Sequence, residues 1–297
     1  MGRLHARNLA ALKDVELVGI ADPDMARARE VAAQHRCSFF SSFEQLFGKI
    51  DAAIIAAPTD RHHEIARACL ENGLHVLVEK PIARTMREAD ELISLSEGKN
   101  LVLQAGHVER YNRAFGALAA RVERPLYIEA ERLSVFKQRG AEVDVVLDLM
   151  IHDIDLAISL SKSTVAGVSA SGFRVLTKDI DIANARLEFA NGCIANLSAS
   201  RVSQAPVRKL RVFQSDLYVS ADLQSGRLRC VRQANGLLEE TEESHAGGEA
   251  LASQAEAFVS ASLGGSAVQV SGESGRLALH AALEVGRHVR ERLEKSG

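Results

Sequence analysis

The stretch IDAAIIAAPTDRHHEIARACLENGLHVLVEKP, residues 50–81, decides the fold class of this chain. Residues 50–57 are an apolar run, interrupted by Asp51 alone and closed by a proline, a pattern typical of a strand that is buried on both faces. Residues 61–71 have helical spacing, and residues 75–80 form a second strand that again ends at a proline. A strand, a helix and a strand in this order predict a βαβ unit of a parallel sheet.

Strand and helix signals alternate on both sides of this stretch as far as residue 106. Beyond it, segments 126–136, 166–176, 183–190, 193–201 and 210–220 read as strands, with few helices between them. Asn191-Gly192 joins two of them and is the strongest short hairpin signal. The sequence therefore predicts an α/β protein with a doubly wound parallel sheet in residues 1–106. Residues 107–297 are predicted to form an α+β domain with a mostly antiparallel sheet.

The composition is that of an ordinary globular chain and argues against several classes of protein. Of 297 residues, 36 are Lys or Arg and 39 are Asp or Glu, so the formal net charge is −3. That balance argues against nucleic acid or an anionic membrane surface as a partner. No apolar run approaches the ~20 residues of a membrane-spanning helix. The four cysteines are scattered without a CxxC pair, which favours reduced thiols and a cytoplasmic protein over a disulfide scaffold.

The chain opens with helical character. Residues 2–13 read as a helix with no strand before them, whereas a doubly wound sheet begins with a central strand. The glycine-rich phosphate loop lies between that strand and the first helix, and Gly2 is the one glycine at this place. We therefore expect the natural chain to contain an upstream strand and two further glycines.

Predicted strand ends carry residues that suit a dinucleotide. Asp22 ends the strand at residues 17–22, about where an acid accepts a hydrogen bond from the ribose 2′-hydroxyl, and its charge disfavours the 2′-phosphate of NADP. Thr59 and His62 follow the strand that Pro58 closes. The alternative interpretations are a helix-capping aspartate and ordinary polar residues at a helix start. We expect NAD at these strand ends.

A lysine follows the next predicted strand in the sequence Glu79-Lys80-Pro81. In open α/β sheets the ligand crevice lies outside the carboxyl ends of the strands, so a lysine there can stabilise a developing alkoxide. The alternative is a surface lysine at a strand end, which is frequent in proteins.

Residues 145–160 are almost wholly apolar apart from one polar stripe. The stripe consists of Asp148, His152, Asp155 and Ser159. Their spacing of 4, 3 and 4 places them on one face of a helix, which faces either a cleft or a thin strip of solvent. In a cleft, His152 is suited to act as a base near neutral pH and Asp148 is suited to orient it. No third ligand is local, so we expect no metal site.

Motifs along most of the chain carry a family resemblance. They are GRLH at 2–5, APTDRH at 57–62, GLHVLVEKP at 73–81, GHVERYN at 106–112 and DLMIHDID at 148–155. In this order they resemble the glucose-fructose oxidoreductase / inositol 2-dehydrogenase / MocA (Gfo/Idh/MocA) family. The resemblance implies an N-terminal Rossmann domain, a C-terminal domain whose open-faced sheet serves oligomerisation, and a tightly held NAD or NADP.

The resemblance also implies roles for individual residues. The implied catalytic residues are Lys80, Asp148 and His152. The implied cofactor contacts are Gly2, Asp22, Pro58, Thr59, His62, Glu79 and Lys80. The implied substrate contacts are Arg110, Asn112 and Asp155.

These residues predict an NAD-dependent oxidoreductase that moves hydride between a nicotinamide and a hydroxyl of a sugar, a polyol or a sugar nucleotide. The segments 106–112 and 144–155 are similar to family members that act on UDP-N-acetylglucosamine-type sugars. Two alternatives stay open: a redox-neutral sugar-modifying enzyme that retains its NAD, and a non-catalytic binding protein on the same fold. We expect a small-molecule substrate, a homo-oligomer formed through the C-terminal sheet, and no nucleic-acid or membrane partner.

Overall fold

A computed structural model describes residues 1–136, 143–234 and 236–296. These residues divide into two compact units. The first unit contains Met1–Val108 and Glu249–Arg276, and the second contains Glu109–Gly248 and Leu277–Gly297. The division after Val108 lies close to the predicted boundary between residues 106 and 107, while residues 249–276 group with the first unit.

The order of elements follows the predicted change from alternating strands and helices to consecutive strands. The helices are α1 (Gly2–Ala10), α2 (Met25–His35), α3 (Thr59–Glu71), α4 (Met86–Gly98), α5 (Arg113–Ala119), α6 (Ile151–Ser161), α7 (Ala250–Ser262) and α8 (Gly272–Ser296). Short 3-10 helices cover Phe43–Leu46 and Val108–Tyr111, and a π-helix covers Val146–Met150. The strands are β1 (Gly19–Ala21), β2 (Ser38–Phe40), β3 (Ala52–Ile55), β4 (His75–Glu79), β5 (Leu103–Gly106), β6 (Tyr127–Leu133), β7 (Val165–Phe173), β8 (Ile182–Phe189), β9 (Ile194–Ser200), β10 (Val207–Gln214), β11 (Leu217–Asp222), β12 (Arg227–Ala234) and β13 (Leu237–Ser244).

The first unit contains parallel strands, as the βαβ pattern predicts. In the described residues they form two pieces, the pair β1–β2 and the three-stranded sheet β3–β4–β5. In the central strand β4, Val76, Leu77 and Val78 are fully enclosed. Helices α2 and α4 begin at side-chain caps: Asp24 caps α2, and Thr85 forms a capping box with Glu88 at the start of α4.

The second unit is built on one sheet of eight strands in the order β13–β12–β11–β10–β6–β9–β8–β7. Every pairing is antiparallel except β6 with β9, which confirms the predicted mostly antiparallel sheet. Alternate residues of the strands are buried in one core with α5, α6 and part of α8. In β6 the core-facing positions are Ile128, Ala130 and Arg132, which puts a charged residue in the buried row.

Turn chemistry explains where the strand predictions succeed and where they fail. Gly192 takes a φ of 87° between β8 and β9, so the predicted Asn191-Gly192 hairpin is confirmed. The single strand predicted over 210–220 is wrong, because Asp216 takes a φ of 60° and turns the chain from β10 into β11. Aspartate tolerates this left-handed conformation better than most residues. The hairpin β12–β13 has no counterpart in the sequence prediction.

Candidate active site

Lys80 directly follows the buried central strand β4 of the three-stranded sheet. Carboxyl ends of parallel strands share one edge of a sheet, and ligands of open α/β sheets bind outside that edge. The side chain is half-buried there. Lys80 therefore brings a positive charge to the edge where a dinucleotide-binding sheet holds its ligand.

His62 braces the turn that contains Lys80. It lies in the first turn of α3 and is buried. Its Nδ1 lies 2.8 Å from the carbonyl oxygen of Pro81, and its Nε2 lies 2.9 Å from the carbonyl oxygen of Ala57. The ring thus connects the end of β3 to the turn after β4. Both ring nitrogens face backbone oxygens, and the contact of His62 with a cofactor stays a prediction.

A buried pair of side chains joins α1 to the end of β4. His5 Nε2 lies 2.7 Å from Glu79 Oε1, and the two side chains are 3% and 10% exposed. A Cβ atom on Gly106 would lie 2.7 Å from the Cα of Glu79, so the absence of a side chain at residue 106 allows β5 to approach here. The carboxylate of Glu79 is therefore held inside the first unit, and the next residue is Lys80, which is predicted to be catalytic.

Asp22 follows β1 and keeps capacity to accept further hydrogen bonds. Its Oδ1 accepts from the backbone N–H of Asp24 at 2.9 Å, and Arg27 Nη1 lies 3.4 Å from its Oδ2. The side chain is 25% exposed. A carboxylate offers about four lone-pair positions, so Asp22 can also accept from a ribose hydroxyl.

The remaining predicted cofactor contacts lie at helix starts of the first unit. Gly2 is the first residue of α1, Pro58 precedes α3, and Thr59 is its first residue. A Cβ on Gly2 would have no atom within 4 Å, so the backbone there is open on that side. An accepting carboxylate after β1, an open helix start and a cation after β4 fit a nicotinamide dinucleotide.

In the second unit, Asp148 and His152 lie on consecutive helical segments. The side chain of Asp144 caps the first of these segments, since its Oδ1 accepts from the backbone N–H groups of Val146 and Leu147 at 3.0 Å each. Asp148 then lies in the π-helix, and His152 lies in the first turn of α6. The sequence predicts a regular helix here, whereas the structure widens the turn at Asp148. Single π-turns inside helices are frequent at functional sites.

Arg110, Tyr111 and Asp155 form a partly unsatisfied polar group in the second unit. Arg110 Nε lies 3.5 Å from Asp155 Oδ2. Among the described residues, these two atoms and the Tyr111 hydroxyl are buried and make no hydrogen bond. Burial also raises the pKa of Tyr111, which keeps its hydroxyl a donor. Two donors and a carboxylate acceptor are what sugar hydroxyls require, so this group suits a polyhydroxylated ligand.

Asn112 has a structural role that its sequence position does not reveal. Its Oδ1 accepts from the N–H groups of Ala114 and Phe115 and caps α5. Its Nδ2 donates to the carbonyl oxygen of Leu223 at 2.8 Å and to Glu109 at 3.3 Å. These bonds fix the residue next to Arg110 and Tyr111, and a contact between Asn112 and substrate stays a prediction.

The sequence prediction misses a buried charge network behind these residues. Arg132 donates from Nε and Nη2 to Asp153, at 3.0 and 2.8 Å, and from Nη1 to Glu109 at 2.8 Å. All three side chains are about 5% exposed. Asp153 is the polar residue that departs from the stripe of residues 145–160, and a charge on an otherwise apolar helix face is the signal that indicates a buried partner.

The described residues contain neither a cluster of metal ligands nor a membrane-spanning helix. Residues 1–136, 143–234 and 236–296 contain no group of three or more His, Cys, Asp or Glu side chains placed to hold a metal ion. None of the helices in these ranges is long and apolar enough to span a membrane.

Comparison with known proteins places the chain in a family. Residues 1–107 match the model of the Gfo/Idh/MocA oxidoreductase family with its NAD-binding Rossmann fold, and residues 119–217 match the model of the Gfo/Idh/MocA C-terminal domain. The chain belongs to the Gfo/Idh/MocA family. The family resemblance, the α/β fold class and the dehydrogenase class predicted from the sequence are thereby confirmed.

Individual relatives give finer comparisons. The UDP-N-acetylglucosamine 3-dehydrogenase of Acidithiobacillus ferrooxidans is 38% identical over 292 residues, which cover 96% of this chain and 93% of that protein. The scyllo-inositol 2-dehydrogenase (NAD(+)) of Bacillus subtilis is 28% identical over 226 residues, or 68% of this chain and 65% of that protein. This chain is therefore similar to dehydrogenases that act on hydroxyl groups.

Solved structures agree with the fold. The structure of the Acidithiobacillus ferrooxidans enzyme superposes with a TM-score of 0.93 and covers 98% of this chain and 94% of that chain. A scyllo-inositol dehydrogenase from Lactobacillus casei, with bound NAD(H) and scyllo-inositol, superposes with a TM-score of 0.83 at 17% identity. At that identity the likeness concerns the fold alone.

Proposed function

We propose that this chain is an NAD-dependent dehydrogenase that oxidises a ring hydroxyl of a UDP-N-acetylglucosamine-type sugar nucleotide. The observation that carries the proposal is the 38% identity with a UDP-N-acetylglucosamine 3-dehydrogenase across 96% of this chain. The unsatisfied group of Arg110, Tyr111 and Asp155 supports it, because these side chains are suited to bind sugar hydroxyls. Arg110 and Asp155 are accordingly proposed as substrate contacts.

The proposed chemistry divides among three residues. His152 takes the proton of the reacting hydroxyl as general base. Lys80 stabilises the negative charge that develops on the substrate oxygen. Asp148, four residues before His152, keeps the imidazole in the orientation and tautomer that accept the proton. A bound nicotinamide would supply the acceptor for the hydride that leaves the substrate carbon.

The proposed cofactor is NAD rather than NADP. Asp22, with Gly2, Pro58, Thr59 and the end of β4, would hold the dinucleotide. A 2′-phosphate at the adenosine ribose would meet the negative charge of Asp22 at close range. Arg27 partly offsets that charge, but its nearest nitrogen is 3.4 Å from Asp22 and it also pairs with Asp24.

The test is a turnover experiment with the purified chain, NAD and UDP-N-acetylglucosamine. We expect NADH to accumulate and a keto-sugar nucleotide to form in equal amount. Asp148→Asn serves as a variant that weakens turnover without changing the size of the site. If NADH forms on the enzyme but no oxidised sugar is released, the redox-neutral alternative is correct. If the chain binds the sugar nucleotide without any reduction of NAD, it is a binding protein.

We also propose that the chain assembles into a homo-oligomer through the sheet of the second unit. Tyr127, Phe213 and Tyr218 lie on the sheet face opposite the core row of Ile128 and Val212. Their rings are neighbours, with centroids 5.8 and 5.0 Å apart. A half-buried aromatic row on a sheet face is the kind of surface that subunit interfaces cover.

A cytoplasmic location is proposed from the cysteines. Cys37, Cys69, Cys193 and Cys230 are all free thiols. Burial raises the pKa of Cys69 to about 12 and that of Cys193 to about 11, so both resist conversion to the reactive thiolate. Cell fractionation with a specific antibody tests the location.

A further inference from the structure

In the charge network of Arg132, Asp153 and Glu109, the first two side chains occupy positions that the fold otherwise gives to apolar residues. Arg132 follows Ile128 and Ala130 in the core row of β6. Asp153 lies between buried apolar residues of α6. Burial by itself disfavours the charge of Arg132, but the carboxylates of Asp153 and Glu109 raise the pKa of its guanidinium and keep it charged.

Packing alone does not require such a network. Removing charges from water is costly, and apolar residues of similar volume often replace a buried ion pair without loss of stability. What an ion pair adds is direction, because a guanidinium binds a carboxylate through two parallel hydrogen bonds in one geometry. Arg132 makes this two-bond contact with Asp153 and a third bond to Glu109.

The two carboxylates belong to the two segments that carry the proposed site. Asp153 directly follows His152 on α6, and Glu109 directly precedes Arg110 on the 3-10 helix Val108–Tyr111. Glu109 is further held by Arg208 Nη1 at 3.2 Å and by Asn112 at 3.3 Å. Arg132 on β6 is therefore the common partner of both segments.

We infer that Arg132 is a positioning residue for the reaction, and this inference rests on the proposed function. Through Asp153 it sets the orientation of the helix that presents Asp148 and His152. Through Glu109 it sets the turn that presents Arg110. The contact with Asp153 affects His152, which takes the proton. The contact with Glu109 affects Arg110, which binds substrate.

Isosteric variants can separate the contact of Arg132 with Asp153 from its contact with Glu109. Asp153→Asn removes one charge and leaves Arg132 paired with Glu109, so the helix loosens while the turn stays in place. Glu109→Gln leaves Arg132 paired with Asp153, so the turn loosens while the helix stays in place. Arg132→Lys keeps the charge but loses the forked geometry, so it loosens both segments and provides a variant that retains a buried ion pair if the other two do not fold. The matched control is Arg229→Lys, because Arg229 makes a similar two-bond contact with Glu240 on the exposed strands β12 and β13.

The first measurement is hydrogen–deuterium exchange, which needs neither cofactor nor substrate. In Asp153→Asn we expect the amides of 146–161 to exchange about 10-fold faster or more, with those of 108–112 little changed. In Glu109→Gln the pattern should reverse, and Arg229→Lys should change neither segment. Faster exchange of both segments in both single variants, or of neither, overturns the inference.

The second measurement is steady-state kinetics with NAD and UDP-N-acetylglucosamine, normalised to the number of NADH-binding sites. We expect Asp153→Asn to lower kcat about 10-fold with KM little changed, and Glu109→Gln to raise KM about 10-fold with kcat little changed. Equal losses of kcat and of apparent affinity in both variants contradict separate effects of the two contacts. Absence of turnover in the unmodified chain refutes the proposed function instead, and the exchange experiment still decides the structural part of the inference.

Discussion

The separate roles proposed for Lys80 and His152 can be tested by single substitutions. Lys80→Ala removes the charge that stabilises the substrate oxygen, and His152→Ala removes the base. We expect each to lower kcat by about 100-fold or more, because a positioned base or a preorganised charge each contributes at least that factor. NADH titration, followed by the emission of the nucleotide, should show little change in Kd. The chain has no tryptophan, so the protein interferes little with that signal.

Loss of NADH binding in Lys80→Ala would assign this residue to the cofactor contacts rather than to the chemistry. His63→Ala is the matched control for His152→Ala. Its imidazole pairs with Glu91 in the first unit at 3.1 Å and belongs to no part of the proposed mechanism. A similar loss of kcat in both histidine variants would contradict the role of His152.

Asp22 determines the expected cofactor preference. Asp22→Ala removes a charged acceptor for the ribose hydroxyl, a contact worth about 1.5–3 kcal/mol, and should raise the Kd for NADH about 10-fold or more. The same change removes repulsion toward a 2′-phosphate, so the Kd for NADPH should fall. Parallel titrations with both nucleotides measure the ratio. Asp24→Ala is the control, since Asp24 caps α2, and it should leave this ratio unchanged.

Asp181 organises the loop between β7 and β8. Its Oδ2 accepts from the N–H groups of Val175, Leu176 and Thr177 at 2.7–2.9 Å, and its Oδ1 accepts from the Thr177 hydroxyl at 2.7 Å. Burial opposes the charge, but these hydrogen bonds lower the pKa of Asp181 from 3.8 to about 2. Since the folded state holds the lower pKa, Asp181 contributes its full stabilisation above pH 3.8 and loses it as the pH falls toward 2.

Thermal denaturation between pH 5 and pH 2 tests this dependence. We expect Asp181→Asn to lower Tm near neutral pH and to show a smaller further decrease than the unmodified chain as the pH falls toward the folded pKa of about 2. Asp179→Asn, two residues earlier in the same loop, is the control. Parallel pH profiles of the unmodified chain and Asp181→Asn would show that Asp181 does not carry the effect.

The elements also show which features of the fold the sequence predicts. Local signals predict the βαβ order and the hairpin at Asn191-Gly192, because each depends on neighbouring residues. The β10–β11 turn at Asp216 carries no glycine and stays hidden. The π-turn at Asp148 is hidden for a related reason, since residues 146–150 have ordinary helical spacing.

For the candidate site, the sequence predicts which residues take part but not the contacts that support them. Motifs identify Lys80 and the segment of residues 148–155, whereas the contacts that support these positions come from residues distant in the sequence. Arg132 meets Asp153 across the fold, and His62 meets Pro81, so only the folded chain reveals both contacts. A lone aspartate on an apolar helix indicates that a buried partner exists but not which residue it is.

Assembly into an oligomer is the main expectation that follows from the surface of the second unit. The outer face of the eight-stranded sheet presents the row of Tyr127, Phe213 and Tyr218, flanked by the ion pair of Arg211 and Glu129 at 3.1 Å. An aromatic centre with a polar rim is the usual anatomy of a subunit interface. A two-fold arrangement places the same patch of each copy against the other, so one substitution acts twice.

If the proposed oligomer forms through this face, Phe213→Glu should convert it into a monomer. A specific interface covers about 800 Å² of each partner, and a charge buried at its centre without a counter-ion is costly enough to prevent association. Size-exclusion chromatography with light scattering measures the mass, and NADH titration checks that the first unit still folds. Leu263→Glu is the control, because Leu263 is apolar and 70% exposed but lies outside the sheet. If Phe213→Glu keeps the mass of the unmodified oligomer, the sheet face is not the interface, and if the unmodified chain is already a monomer, the proposed assembly is wrong.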